Sequence, residues 1–276
     1  MAPVATLLAS LGLPADAVVV LVTADDLGLA HSANVATFDA FAAGTVTGAS
    51  LLVPAPWARE AAATTHGEPV GVELTLTAEH QVFRWGPITS APSLLGGDGG
   101  FPGTVGDVVD HADLDEARRE LRAQIERAVL WGFDVTHLAS HDDVLGTHPA
   151  FLDLGLELAL EFALPLRPPR RRDEELGFPA TALLAAEGIV VPDHVVRLHA
   201  HTDLDQLVDT LEPGVTELIL RPAFASREIT ALAADAEARV EDDLRLRAEG
   251  PLERSLTRRG AIRTSWRALR ELQRAS

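Results

Sequence analysis

Residues 17–28 read Ala-Val-Val-Val-Leu-Val-Thr-Ala-Asp-Asp-Leu-Gly, an apolar run that stops on two adjacent carboxylates, Asp25 and Asp26. Val18 to Val22 is too short for a helix and rich in β-branched residues, so it reads as a strand covered on both faces. Neighbouring side chains on a strand point to opposite sides. At the strand's end, where the chain turns, both acids can nevertheless face one cavity. In a parallel α/β architecture that end carries the chemistry. A plainer assignment stands beside this one, in which one Asp caps the next helix and the other is solvated.

Outward from this strand the chain alternates. His-Ser-Ala-Asn-Val-Ala-Thr-Phe (31–38) opens a segment with helical spacing at Val35, Phe38, Phe41 and Ala42, which stops at Gly44. Strands are expected at 47–54 and 69–77, the second with Val72, Leu74 and Leu76 on one face and Glu73 and Thr75 on the other. Residues 78–112 are rich in Gly and Pro and too long for an ordinary connection, which marks them as a functional lid or binding loop. Asp113 then caps a helix whose stripe is Leu114, Leu121, Ile125 and Val129. A strand over 134–143 and a helix over 149–164 follow. Short apolar runs near Leu164, Val195 and 216–222 alternate with helices at about 179–187, 203–211 and 228–248, and residues 261–273 close the chain. About seven βα units without a break in composition predict one α/β domain over residues 1–276, a distorted TIM-like (β/α) barrel with a long loop insertion at 78–112.

Composition limits the partners. The 276 residues carry 41 acids against 23 bases, all of them Arg, for a formal charge of -18. Such a surface repels phosphate backbones and argues against nucleic acid. The apolar runs fall short of a membrane span, and the start of the chain lacks a basic segment ahead of its apolar residues, so the expectation is a cytoplasmic protein. With no cysteine there is no disulfide framework and no thiolate site. Small-molecule substrates and a homodimer are compatible with all of this. The runs Arg-Pro-Pro-Arg-Arg-Arg-Asp-Glu-Glu (167–175) and Arg-Val-Glu-Asp-Asp-Leu-Arg-Leu-Arg-Ala-Glu (239–249) are mixed in sign and read as solvated faces or a loop.

The polar residues at the expected strand ends form a set: Asp25 and Asp26, Glu73, His141 with Asp142 and Asp143, and Arg221. Carboxylates and an imidazole without a thiolate suit a divalent metal with open positions.

Four stretches, Val-Thr-Ala-Asp-Asp-Leu-Gly-Leu-Ala-His-Ser-Ala-Asn (22–34), Gly-Val-Glu-Leu-Thr-Leu-Thr (71–77) followed by Phe-Arg-Trp-Gly-Pro (83–87), Thr-His-Leu-Ala-Ser-His-Asp-Asp (136–143) and Thr-Glu-Leu-Ile-Leu-Arg-Pro-Ala (216–223), stand in the order and spacing of one family. The chain resembles the YdjC-like carbohydrate deacetylases, over nearly its whole length. The resemblance implies a distorted barrel and a metal-dependent hydrolase that removes acetyl from an N-acetylated sugar or oligosaccharide. It makes Asp25 similar to the family's catalytic base, and Asp26 and His141 similar to metal ligands. Four positions depart from the pattern: Glu73 stands in place of a ligand His, Ala139 and Asp143 in place of the Asp and the second His of the Asp-Ser-His-x-His pattern, and Arg221 in place of the His of a His-Pro motif.

Glu is a competent oxygen ligand, so Asp26, Glu73 and His141 remain a candidate triad for Mg²⁺, Zn²⁺ or Mn²⁺. Arg221 stays protonated and cannot act as a general acid, which leaves it to stabilise negative charge or to bind substrate. The proton for the leaving amine must then come from Asp25 returning what it took, or from Asp143. A same-fold hydrolase with a different amide substrate and a catalytically silent carbohydrate-binding relative are the rival readings. His199 and His201 would share a strand face as a His-x-His pair or serve as ordinary polar residues, and His148 precedes a helix. Trp85 offers either a sugar-stacking face on the long loop or plain packing.

Overall fold

The apolar run that opens the first motif forms strand β1, Val18–Leu27, and every residue of it is buried. Its covered character follows from its position. In the computed structural model, which describes residues 6–80, 83–169 and 176–275, β1 lies inside a parallel sheet with β2 (Gly48–Leu51) on one side and β6 (Gly214–Leu220) on the other. Strands β3 (Val70–Leu74), β4 (Val135–Ser140) and β5 (His194–Arg197) complete the order β4-β3-β2-β1-β6-β5, and the short β7 (Ile262–Arg263) lies off this path and pairs with the start of β1 at Val19 and Val20.

The α/β class and the parallel sheet are as expected. The path is that of a half-barrel of six strands, and among the described residues it does not close into the expected seven-stranded ring. The run near Leu164 shows why. It contributes only a bridge between Leu138 and Leu166, held by Leu138 N–H donating to Pro165 O at 2.9 Å and Arg167 N–H donating to Leu138 O at 2.8 Å. Pro165, Pro168 and Pro169 lack the N–H groups that a longer ladder needs.

Helices cover the sheet: α1 (Leu7–Ser10), α2 (His31–Ala42), α3 (Ala58–Thr64), α4 (Val105–His111), α5 (Leu114–Leu130), α6 (Pro149–Phe162), α7 (Ala180–Ala186), α8 (Leu204–Asp209), α9 (Arg227–Leu232), α10 (Ala236–Arg245), α11 (Pro251–Arg259) and α12 (Trp266–Ala275). No described helix is long and apolar enough to cross a membrane. Asp113 caps α5 as its position predicts, accepting from the N–H groups of Asp115 and Glu116 at 2.9 and 3.0 Å. The stripe on α5 is rotated from the expected one: Leu121 and Ile125 are buried, but Leu114 and Val129 are exposed, and Glu120 and Gln124 take their place inside.

Those two polar residues are buried because backbone groups past the end of β3 need partners there. Glu120 accepts from Ile88 N–H at 3.1 Å, Thr89 N–H at 2.9 Å and the Thr89 hydroxyl at 2.6 Å, and Glu116 accepts from Ser93 N–H at 2.8 Å. Gln124 accepts from Thr75 N–H at 2.9 Å, just past β3. Residues 83–112 are therefore a built structure that carries α4 and a short 3₁₀ turn at Pro92–Leu94. Unpaired backbone groups would be costly there, and the helix satisfies them.

Candidate active site

The two adjacent acids do face one place. Asp26 has a left-handed backbone (φ 63°), so the chain turns at the end of β1 and Asp26 does not alternate away from Asp25. Asp is one of the few residues that tolerates this region. Gly28 follows at φ 96°, and a Cβ there would meet the Ala58 backbone at 3.0 Å, so the turn can close only on glycine.

Each acid has its own cation. Asp25 accepts two parallel hydrogen bonds from Arg167, Nη1 to Oδ2 and Nη2 to Oδ1, both at 2.8 Å. Asp26 accepts from Arg239 Nη2 at 2.5 Å on Oδ2, with Arg221 Nη1 3.7 Å from the same oxygen. Its other oxygen, Oδ1, lies 3.9 Å from His141 Nδ1. Arg221 and Arg239 both also pair with Asp235. Burial raises the Asp26 carboxyl, but Arg239, Arg221 and His141 together outweigh it and hold Asp26 below the ordinary carboxylate range.

Glu73 and His141 stand opposite. The Glu73 carboxylate accepts from Asp26 N–H at 3.2 Å and lies 3.0 Å from His141 Nδ1, while His141 Nε2 is 3.0 Å from Glu79. Burial, with Asp25 and Asp26 nearby, pushes Glu73 up to about 7. Burial lowers His141, but its hydrogen bonds to Glu73 and Glu79 prevail and raise it well above the usual imidazole range. One ligand atom each from Asp26, Glu73 and His141 lies within 4.8 Å of the others, and all three residues are buried. The fit is that of an oxygen-rich divalent site: Asp26 has Oδ1 facing His141 while Oδ2 is committed to arginine, and Nε2 of His141 is held by a carboxylate, which leaves Nδ1 as its ligand atom.

The structure thus brings together Asp25, Asp26, Glu73, His141 and Arg221 from the sequence set. Asp143 is buried in the turn after β4, where it and Asp142 both have left-handed backbones. His148 caps α6 through Nδ1, accepting from Ala150 N–H at 3.2 Å. His199 and His201 lie beyond the end of β5, both exposed and His201 at φ 62°, so they are ordinary polar residues of a loop and do not share a strand face.

Of the two readings of Trp85, the structure shows the packing one. The residue is 4% exposed, donates from Nε1 to Thr77 O at 2.9 Å, and packs edge-on against His80, Phe83 and His141. A ring enclosed in this way anchors the loop and offers no face to a sugar. Trp85→Phe is expected to lower stability by about 1 kcal/mol, the worth of one buried hydrogen bond, with substrate affinity unchanged. Thermal unfolding and KM measured side by side check it.

Three site residues lay outside the sequence set. Arg167 and Arg239 open the two mixed-charge runs read as solvated, yet they are 6% and 1% exposed; residues 170–175 of the first run lie outside the described residues. Arg167 did carry a signal. Leu-Arg-Pro ends an apolar run at 166–168 just as it does at 220–222. The third is Glu79, brought in by the long loop.

The family described as YdjC-like protein matches residues 19–257. The chain belongs to the YdjC-like family. Among relatives of this YdjC-like chain, the carbohydrate deacetylase of Geobacillus stearothermophilus is 29% identical over 226 residues, covering 80% of this chain and 86% of its own. The carbohydrate deacetylase of Thermus thermophilus is 36% identical over 167 residues, 60% of this chain and 59% of its own. The chitooligosaccharide deacetylase of Yersinia pestis is 28% identical over 224 residues, covering 76% and 83%. A crystal structure of an Enterococcus faecalis protein superposes with a TM-score of 0.79 at 24% identity, covering 92% of this chain and 99% of that one, a likeness of fold alone.

Proposed function

We propose that this YdjC-like protein is a metal-dependent hydrolase that removes the acetyl group from an N-acetylated sugar or oligosaccharide. The observation that carries the reading is a buried carboxylate, Asp25, clamped by Arg167 and kept off the Asp26–Glu73–His141 cluster at its side. The names of the relatives, carbohydrate and chitooligosaccharide deacetylases, support the substrate class.

Asp26 Oδ1, Glu73 and His141 Nδ1 would hold the ion. A divalent cation bound there supplies Lewis acidity, polarising the acetyl carbonyl and lowering the pKa of water. Asp25 takes the proton of the attacking water as its oxygen adds to the acetyl carbon. Arg221, the partly exposed cation of the site, meets the negative charge that develops on the acetyl oxygen. As the C–N bond breaks, Asp25 returns the proton to the sugar amine, and acetate and the free amine leave.

The two main departures from the family pattern offset one another. Glu73 adds a negative charge where the family has a neutral imidazole, and Arg221 adds a fixed positive charge where it has another. The added carboxylate restores the room for a divalent cation that two guanidinium groups beside Asp26 would otherwise oppose. The resulting shell favours harder ions, shifting preference toward Mg²⁺ or Mn²⁺ relative to Zn²⁺.

Because His141 and Glu73 are both raised, each holds a proton that metal must displace as pH falls through neutrality. Metal affinity is therefore expected to rise as pH passes up through about 7, where Glu73 gives up its proton, and to go on rising above that as His141 gives up its own, and Glu73→Ala is expected to abolish binding. Titration calorimetry in buffers of different ionisation enthalpy reads both; full metal affinity in Glu73→Ala would remove Glu73 from the ligand set. For the activity itself, the test is acetate release from a panel of N-acetylated mono- and oligosaccharides with Zn²⁺, Mn²⁺ or Mg²⁺ supplied. No release from any of them would overturn the reading.

A further inference from the structure

Glu217 has no part in the chemistry above, yet it is a carboxylate with no exposure at all in the middle of β6. Sequestering an acid there is costly unless it is paired and hydrogen-bonded. Its partner is Arg167, which donates from Nε to Oε2 at 2.8 Å and from Nη2 to Oε1 at 2.6 Å. The guanidinium is planar and has two edges in use. The Nε/Nη2 edge meets Glu217 and the Nη1/Nη2 edge meets Asp25.

We propose that Glu217 is a positioning residue for the catalytic base: by fixing the plane and rotation of the Arg167 fork, it aims the adjacent edge at both oxygens of Asp25. A single bidentate contact would let the long Arg167 side chain and the Asp25 carboxylate swing together. Two contacts on adjacent edges of one rigid plane leave neither free. Ser50 Oγ, 3.5 Å from Arg167 Nη2, borders the same plane. The register of the sheet makes this possible, because Leu21 pairs with Glu217 and Ala24 with Leu220, so Glu217 sits deeper in the sheet than Asp25 and reaches it through the length of arginine.

This inference rests on Asp25 being the base of the proposed deacetylation, and the test separates the two. Glu217→Gln keeps the shape and one acceptor, and Glu217→Asp keeps the charge but withdraws the carboxylate by one methylene. Each is made in the wild type and in the Asp25→Asn background, and acetate release is measured together with calorimetric metal affinity. In the wild type, Glu217→Gln is expected to lower kcat about tenfold or more with KM and metal affinity within twofold, and Glu217→Asp to recover part of the loss if its acid still reaches Arg167. In the Asp25→Asn background the same change is expected to alter the residual rate less than about twofold, since a residue that acts through Asp25 has nothing left to position. Equal fold losses in both backgrounds, or a loss expressed in KM or metal affinity, would overturn the role of Glu217 while leaving the deacetylase reading intact. A wild-type protein that releases no acetate overturns both.

Discussion

Replacing Arg167 by methionine is expected to destabilise the protein by about 3–5 kcal/mol at neutral pH and to remove its activity, because it takes from two buried carboxylates, Asp25 and Glu217, the cation they share. Both acids hold Arg167 well above its ordinary pKa against the effect of burial, so the guanidinium is charged throughout the accessible range. Methionine fills most of the volume and supplies none of the five donors. Arg167→Lys keeps the charge and loses the fork, so its stability should fall less while its kcat falls nearly as far. Urea unfolding of the three proteins checks the first expectation and single-substrate kinetics the second. A methionine variant as stable as the wild type would mean that the ion cluster contributes no net stabilisation.

Asp25→Asn is the opposite case. It removes one of the two acids that share Arg167 and leaves Arg167 paired with Glu217, so the folded state keeps a buried pair without an uncompensated carboxylate. Stability should stay close to wild type. Turnover should fall by roughly a hundredfold or more, the scale for loss of a general base, with metal content unchanged. Kinetics and elemental analysis of one preparation read both. Loss of the metal in place of turnover would exchange the roles assigned to Asp25 and Asp26.

Most of the site was legible in the sequence because chemistry at strand ends leaves a local signature. An apolar run that stops on Asp25-Asp26, or on His141-Asp142-Asp143, shows both the strand and the polar group it delivers. What stayed hidden acts across the sheet. Arg167 and Arg239 sit in mixed-charge runs whose composition is that of a solvated face, and apart from the Leu-Arg-Pro at 166–168 nothing there shows that the first arginine of either run turns inward to meet Asp25 or Asp26, 142 and 213 residues away. Glu120 was hidden in the same way. On α5 it falls on the buried face, where the donors of Ile88, Thr89 and Gln124 explain a carboxylate.

The extent of the sheet divides likewise. Six strands were expected from apolar runs with β-branched content and are present, β1 with the whole of its span buried. The expected strand near Leu164 is an apolar run of the same kind, but its prolines limit it to one bridge, and ring closure depended on it. Trp85 was ambiguous for a further reason: exposure on a long loop depends on whether the loop is built, and the carboxylates that anchor this one to α5 lie some thirty residues away.

The claim on which the rest depends is that Asp26, Glu73 and His141 hold a divalent ion that acetate release requires. Stripping the purified protein with a chelator and measuring acetate from an N-acetylated oligosaccharide, as Mn²⁺ or Zn²⁺ is titrated back, tests it most directly. The account predicts no release from the stripped protein and recovery in proportion to the metal bound. Deacetylation that survives complete removal of metal would contradict it.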